Sequence, residues 1–241
     1  SNRDAGRRVA VVGAGNVMLD IAHYLVRDRK VEEVIAVVRR GPAEIKFTRK
    51  EMENVASNLD LAALDHEFER VSAVMRAVGQ DPAAVKCAFS DALPKALPRV
   101  SETSLRFEFL STPVRVMGDW INGVSGLKVE ENRLVAHDGA TKARGTGETR
   151  IIPVDTVIFA IGDTVDKDFC IPTFNEAYVA DTQPRFPVEG ISFEAFNPDT
   201  NQPIPKVFLA GWARQASTGL VGYARKDGEV AVHAVLAYLL T

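Results

Sequence analysis

The sequence predicts an α/β protein built on a Rossmann-like parallel sheet, and two observations carry that prediction. An apolar run from Val9 to Val12 leads into the turn GAG and then into apolar residues at helical spacing. A second apolar run, EEVIAVV, follows at the distance expected of a second strand. The order strand, helix, strand is what a parallel sheet with crossover helices requires.

The glycine turn indicates a dinucleotide site. Gly13 would let the backbone turn tightly, and Gly15 would let it approach a pyrophosphate whose charge the free N–H groups at the helix amino end stabilise. The third glycine of the full fingerprint is here Met18, a larger residue at a position of close packing between helix and strand. The alternative is an ordinary tight turn in an α/β protein whose nucleotide site is vestigial.

Arg39 and Arg40 follow the second strand, where an NAD enzyme would have an acid for the ribose 2′-hydroxyl. Guanidinium groups can hold a 2′-phosphate in a bidentate way, and they leave an unphosphorylated ribose without its usual partner. The pair therefore favours NADP over NAD. The alternative is that both arginines only solvate the end of a strand.

Composition bounds the class of protein. The 241 residues fit one large domain or two modest ones, and 46% hydrophobic with 25% charged residues indicates a globular chain. A net charge of −3 argues against a nucleic-acid binder. Cys87 and Cys170 are far apart, so neither a disulfide framework nor a dithiol redox centre is predicted. Without an apolar leader or a spanning segment in this sequence, we expect a cytoplasmic protein that does not enter a membrane.

The remaining segments predict helices, strands and a charged loop. Helices are expected soon after the arginine pair, and His66 there is interpreted as part of a solvated helix face, so no metal site is predicted. A hairpin with its turn near Glu131 to Arg133 should precede a charged loop, ATKARGTGETR. The runs DTVIFAIGD and PKVFLAGW are predicted to be buried strands, and Thr218 should open the final helix.

Four of these segments together resemble ferredoxin–NADP reductases of the adrenodoxin-reductase type. The segments are GAGNVMLDIA, RRGPAEIKFTRKE, RFEFLSTPVRVMGD and GWARQASTGLVGYARKDGE, and the resemblance runs from about Arg8 to Leu240. The Gly-Trp pair after the last strand is specific, because most flavoproteins with two dinucleotide sites have Gly-Asp there. It distinguishes this branch from relatives of thioredoxin reductase and glutathione reductase.

The resemblance implies a role for each motif. NADP(H) would place its pyrophosphate on the glycine turn, its 2′-phosphate on the arginine pair and its nicotinamide end near Glu51, while the flavin of FAD would contact Trp212 and the start of the final helix. The implied cofactor-binding residues are Gly13, Ala14, Gly15, Asn16, Val17, Arg39, Arg40, Glu51, Trp212, Gly219, Leu220 and Val221. Hydride would pass directly between the cofactors, so no catalytic acid or nucleophile is implied. The family's electron-transfer partner is a ferredoxin-type iron–sulfur protein.

The resemblance also implies a domain plan, with an NADP-binding domain over residues 7–154, which includes a β-meander, and the carboxyl-terminal portion of a discontinuous FAD-binding domain over 155–241. Two departures are Met18 and Asn54, which stands where the family has a second glutamate. A third is the missing FAD fingerprint with which family members begin, so either the sequence is part of a longer reductase or another polypeptide supplies that half. The alternatives are the NADPH-oxidising flavoprotein subunit of a glutamate-synthase-like complex and a non-catalytic nucleotide-binding module.

Overall fold

A computed structural model describes residues 6–137, 140–216 and 221–241 of the chain. The chain forms two compact units, of which the first ends at Ile161 and the second begins at Gly162. The first unit contains β1 (Arg8–Val12), α1 (Asn16–Tyr24), β2 (Glu33–Val37), α2 (Arg49–Glu53), α3 (Leu61–Ala77), α4 (Pro82–Ser90), β3 (Ser104–Glu108), β4 (Ser111–Asp119), β5 (Gly123–His137), β6 (Ala140–Ile152) and β7 (Thr156–Phe159).

A four-stranded parallel sheet, in the order β3-β2-β1-β7, forms the centre of the first unit. This confirms the predicted α/β class. The sequence places the domain boundary between Val154 and Asp155, whereas in the structure β7 pairs with β1 and lies in the first unit. The assignment of the second unit to an FAD-binding domain remains a prediction.

The core of the first unit accommodates Met18. This side chain is completely buried and belongs to the same apolar cluster as Val9 and Val11 of β1. The helices α3 and α4 contribute to that cluster through Phe68 and Phe89, whose rings pack edge to face. The larger residue in the third position of the glycine fingerprint is therefore compatible with close packing of α1 on the sheet.

The strands β4, β5 and β6 form a three-stranded antiparallel meander, as expected, but two details of the prediction were wrong. The strand β5 continues through the proposed turn at Glu131 to Arg133, with only a register shift between Glu130 and Asn132. The proposed charged loop is β6 itself. Most side chains of β6 are exposed, so this strand lacks the alternation of apolar and polar residues that marks a half-buried strand.

Over its described residues, 162–216 and 221–241, the second unit contains short strands and two helices, namely β8 (Thr173–Phe174), β9 (Ala177–Tyr178), β10 (Glu194–Asn197), β11 (Gln202–Phe208), α5 (Trp212–Gln215) and α6 (Val221–Leu239). β8 pairs with β9, and β10 pairs with β11, both antiparallel. The inner face of α6 packs Ala231 and Ala234 against Phe193. The predicted helix start at Thr218 lies outside the described residues.

The two runs predicted to be buried strands are only partly buried. β7 is an edge strand of its sheet, and its Phe159 side chain is 53% exposed. β11 belongs to a two-stranded sheet and carries exposed residues along its length. Apolar composition alone did not distinguish these positions from the interior strands β1 and β2. None of the helices in the described ranges has the length and apolar character needed to cross a membrane.

A series of side chains with alternating charges connects the parallel sheet, the meander and α3. Each member forms an ion pair with the next, and most of these side chains are partly buried. In order, the members are Arg8, Glu33, Arg106, Glu108, Arg150, Glu131, Arg70 and Glu67. Partly buried pairs of this kind are screened less by salt than surface pairs are.

The protein should become less stable in acid because Glu33 becomes protonated. Burial by itself raises the pKa of Glu33, but hydrogen bonds from Arg106 and Arg8 outweigh it and hold the pKa below its ordinary value of 4.5. A carboxyl whose pKa is lowered by folding stabilises the protein above its unfolded pKa, and this contribution is lost as the pH falls through the folded pKa. Denaturant unfolding below about pH 4.5 should therefore show a falling free energy of unfolding.

The Glu33→Gln variant should flatten that dependence on pH. Glu32→Gln is the matched control, because Glu32 pairs with Arg7 in an exposed position. An acid transition that is the same in wild type and Glu33→Gln would contradict this account of Glu33.

Candidate functional site

Gly13 lies where β1 ends, and the backbone just after the neighbouring strand β7 leaves no room for a side chain there. A Cβ at Gly13 would lie 2.4 Å from the carbonyl oxygen of Ala160, immediately after β7. The Gly13 N–H donates to the carbonyl of Val37 at 3.0 Å. The turn is thereby held between the ends of β7 and β2, which explains the glycine by packing alone.

Gly15 has a different environment. A Cβ there would meet no atom within 4 Å, so the fold does not require this glycine. Gly15 is the residue before α1, whose amino end receives no side-chain cap and has no acidic residue in its first turn. Uncapped N–H groups at a helix amino end attract an anion. Gly15 therefore keeps the approach to these N–H groups open.

Arg39 and Arg40 lie beyond the end of β2, which is the strand next to β1. The glycine turn and the arginine pair are thus at the same edge of the sheet. The backbone around the pair is fixed, because Asn132 Nδ2 donates to the Arg39 carbonyl at 2.7 Å and the Leu110 N–H donates to the Arg40 carbonyl at 3.0 Å.

The guanidinium groups of this pair are not used by the fold. Neither forms a hydrogen bond or an ion pair with any residue that the structure describes. The nearest acid in the following segment, Glu44, accepts hydrogen bonds from Gln80 and Thr141 instead. A rigid backbone that carries two available guanidinium groups is suited to binding a doubly charged phosphate.

Glu51 lies in the first turn of α2 and is connected to the glycine turn through Thr48. Asn16 Oδ1 accepts from the Thr48 N–H at 2.9 Å, and Thr48 Oγ1 accepts from the Glu51 N–H at 3.3 Å. Asn54 Nδ2 then donates to Glu51 Oε2 at 3.1 Å. Sequence reasoning did not assign a role to Thr48, although the spacing Thr-x-x-Glu is typical of a helix-capping residue.

The other part of the predicted site is in the second unit, at Gly211 and Trp212. Asp227 of α6 accepts hydrogen bonds from the Gly211 N–H at 2.7 Å and from Arg214 Nε at 3.2 Å, and it forms an ion pair with Arg214. The indole Nε1 of Trp212 is buried and has no hydrogen-bond partner among the described residues. An unpaired buried donor is uncommon and is consistent with a ligand that supplies the acceptor.

A cavity of about 520 Å³ lies in the second unit, and its walls include Tyr178, Arg214 and Ala216 but not Trp212. Its size is within the range of small-molecule sites. Gly219 and Leu220 lie outside the described residues, and Val221 is the first residue of α6 as described. The described residues contain no group of histidine, cysteine or acidic side chains that could hold a metal ion, and both cysteines are free thiols.

The Ala216→Gly variant should be more stable than the wild-type protein. Its φ of 57° and ψ of 173° lie in a region that only glycine occupies readily. Relief of this strain, offset by the greater chain entropy of glycine, should raise the free energy of unfolding by about 1 kcal/mol in Ala216→Gly. Ala213→Gly, inside α5, is the control and should have the opposite sign. Thermal or denaturant unfolding that shows Ala216→Gly to be the less stable protein would contradict this.

Comparison with known proteins finds relatives that are named as NADPH-dependent reductases. No protein-family model matches the chain. NADPH-ferredoxin reductase FprA of Mycobacterium tuberculosis is 25% identical to it, over 98% of this chain and 53% of the relative. A probable mitochondrial NADPH:adrenodoxin oxidoreductase of Dictyostelium discoideum is 25% identical over 90% of this chain and 48% of the relative. The chain spans about half the length of the curated relatives it matches.

Solved structures share the fold. FprA of Mycobacterium tuberculosis in complex with NADPH superposes with a TM-score of 0.66 at 23% identity, over 98% of this chain and 53% of that one. Thioredoxin reductase of T. acidophilum gives 0.55 at 14% identity, over 98% and 54%. The chain therefore shares the fold of the matched half of these two reductases. In sequence, the chain resembles ferredoxin–NADP reductases of the adrenodoxin-reductase type along nearly its whole length, as its motifs predict.

Proposed function

We propose that this chain is the NADP(H)-binding portion of an FAD-dependent oxidoreductase that transfers hydride between NADPH and FAD. The observation that carries the proposal is the pairing, at one edge of the sheet, of an uncapped helix amino end with two guanidinium groups that the fold does not use. A dinucleotide with a 2′-phosphate has anionic groups that match both.

Each residue of this edge has a distinct task in the proposal. The N–H groups around Gly15, Asn16 and Val17 bind the pyrophosphate, and Arg39 and Arg40 bind the 2′-phosphate. Gly13 and Ala14 shape the turn. Glu51 accepts a hydrogen bond from the nicotinamide end of the nucleotide, where Asn54 holds its carboxylate in place.

FAD belongs to the second unit in this proposal. The unpaired Trp212 indole N–H supports a flavin contact, and Gly219, Leu220 and Val221 are proposed to present backbone N–H groups to the flavin. When bound, FAD supplies the hydride acceptor and donor of the reaction. The protein contributes orientation and N–H groups, so we assign no residue as a catalytic acid or nucleophile.

The electron-transfer partner proposed for the complete enzyme is a ferredoxin-type iron–sulfur protein. The support is the resemblance to proteins named NADPH-ferredoxin reductase and NADPH:adrenodoxin oxidoreductase. We propose further that FAD needs the part of those proteins that this chain does not match. The purified chain should therefore be colourless, and visible flavin absorbance in stoichiometric amount would contradict this division.

Loss of either arginine should reduce the preference for the phosphorylated nucleotide. Arg39→Ala or Arg40→Ala removes a charge-assisted contact worth about 1.5–3 kcal/mol, so NADP⁺ affinity should fall by about 10- to 100-fold. NAD⁺ affinity should change little, because the lost partner is the 2′-phosphate. Calorimetric titration of both nucleotides measures the two effects.

Arg99→Ala is the matched control, since it removes an exposed arginine elsewhere in the same unit. It should leave both affinities unchanged. Equal affinity of the wild-type chain for NADP⁺ and NAD⁺ would overturn the proposed assignment of Arg39 and Arg40.

A further inference from the structure

The Asn16 side chain connects the glycine turn to the segment before α2. A residue at the first position of α1 could bind phosphate through its side chain, yet the Asn16 side-chain oxygen already accepts the Thr48 N–H at 2.9 Å. A second contact runs parallel to it, because the Lys46 N–H donates to the Ala14 carbonyl at 2.8 Å. The turn is therefore joined directly to the segment that leads into α2.

The connection continues into α2. Thr48 is the residue before α2, and its hydroxyl accepts from the Glu51 N–H, while Asn54 Nδ2 binds the Glu51 carboxylate. Hydrogen bonds therefore run without interruption from Asn16 through Thr48 and Glu51 to Asn54. We call this series the Asn16–Asn54 relay. Glu51 is held at both ends, by its backbone N–H and by its carboxylate.

The relay has a geometric consequence. Thr48 and Glu51 are separated by about one helical turn, or roughly 5 Å along the helix axis. Any shift of α2 relative to the glycine turn must break either the Asn16–Thr48 bond or the Lys46–Ala14 bond. The distance between the pyrophosphate-binding N–H groups and the Glu51 carboxylate is thus set by side chains and not only by the sheet.

We propose that Asn16 and Asn54 are positioning residues that hold Glu51 for the part of the dinucleotide beyond its pyrophosphate, and that the Asn16 side chain does not itself bind phosphate. This inference rests on the proposed NADP(H) site. It gives the glycine turn a second task, because occupancy of the turn and placement of Glu51 become properties of one hydrogen-bonded unit.

A double-mutant cycle separates positioning from direct phosphate binding. The probes are NADP⁺ and 2′-phosphoadenosine 5′-diphosphate, which carries both phosphate sites but lacks the nicotinamide riboside. Asn16→Ala and Glu51→Ala should each weaken NADP⁺ by about three- to tenfold and change the affinity of the truncated probe by less than about twofold. The double variant should bind NADP⁺ no more weakly than Glu51→Ala alone, because both substitutions remove the same contact.

Four further variants guard against a local loss of structure in Asn16→Ala. Thr48→Pro removes the N–H that Asn16 accepts, and Thr48→Ala removes the hydroxyl that accepts the Glu51 N–H. Each breaks one link of the Asn16–Asn54 relay, so each should weaken NADP⁺ and leave the affinity of the truncated probe nearly unchanged. Asn54→Leu should weaken NADP⁺ but not the truncated probe. Asn16→Asp keeps the acceptor for Thr48 and should retain coupling to Glu51.

The outcomes are distinct. Additive effects of Asn16→Ala and Glu51→Ala, or an equal loss for both probes, would mean that Asn16 binds phosphate directly and would overturn the inference alone. An NADP⁺ affinity that is unchanged in Glu51→Ala would also overturn the inference alone. A wild-type chain that binds neither probe would overturn the proposed function, and the inference with it.

Discussion

Alanine at Gly13 should destabilise the first unit, whereas alanine at Gly15 should leave its stability unchanged and impair nucleotide binding. In Gly13→Ala the new methyl group meets the Ala160 carbonyl at 2.4 Å, and backbone has to move to relieve the contact. The Ala160 N–H donates to the Val12 carbonyl at 2.7 Å, so this movement strains the pairing of β7 with β1. Overpacking of this kind costs about 1–3 kcal/mol in the free energy of unfolding.

Gly15→Ala is the matched variant, since it adds the same methyl group two residues away in open space. Its free energy of unfolding should stay within about 0.5 kcal/mol of wild type, while NADP⁺ affinity should fall by about tenfold or more. Denaturant unfolding and nucleotide titration of the two variants measure both effects. The distinction between a packing glycine and a binding glycine would fail if Gly15→Ala bound NADP⁺ normally.

Removal of Asp227 should have the largest effect in the second unit. The side chains of Arg214 and Asp227 are each only 11% exposed, and the Arg214 guanidinium also lies 4.8 Å from the centre of the Phe193 ring. Asp227→Ala leaves a buried cation and the Gly211 N–H without their acceptor, at a cost of about 3–5 kcal/mol. The turn that carries Trp212 should lose its fixed geometry along with the stability.

Glu229→Ala gives the comparison for Asp227. Glu229 forms an exposed pair with Arg225 on the same helix, so its removal should cost less than about 1 kcal/mol. Asp227→Asn, which keeps an acceptor for Gly211, should lie between the two. If Asp227→Ala unfolds at the same denaturant concentration as Glu229→Ala, the buried pair is not what stabilises this turn.

The glycine turn and the arginine pair could be predicted from the sequence because their signals are local. A buried strand, a turn with two glycines and a helix with apolar residues at helical spacing are contiguous, and Arg39 and Arg40 directly follow the next strand. The parallel pairing of β1 with β2 then brings the two motifs to one edge of the sheet. No contact between distant residues had to be known.

Contacts between distant residues were not predictable in the same way. The hydrogen bond of Asn16 with Thr48 and the ion pair of Arg214 with Asp227 join residues that only tertiary structure brings together. β6 was mistaken for a loop because most of its side chains are exposed and its sequence carries two glycines. The sequence placed β7 after the predicted domain boundary, whereas β7 pairs with β1 and lies in the first compact unit, because an apolar run does not reveal which strand it pairs with.

The central claim is that NADP(H) binds at the edge of the sheet formed by the glycine turn and the arginine pair. The most direct test is a nuclear magnetic resonance titration of the isotope-labelled chain with NADP⁺, followed at each backbone amide. The account predicts saturable shifts at Gly15, Asn16, Val17, Arg39, Arg40 and Glu51, and a much weaker response to NAD⁺ at the two arginines. The account would be contradicted if NADP⁺ left these amide signals unshifted, or if NADP⁺ and NAD⁺ shifted them identically.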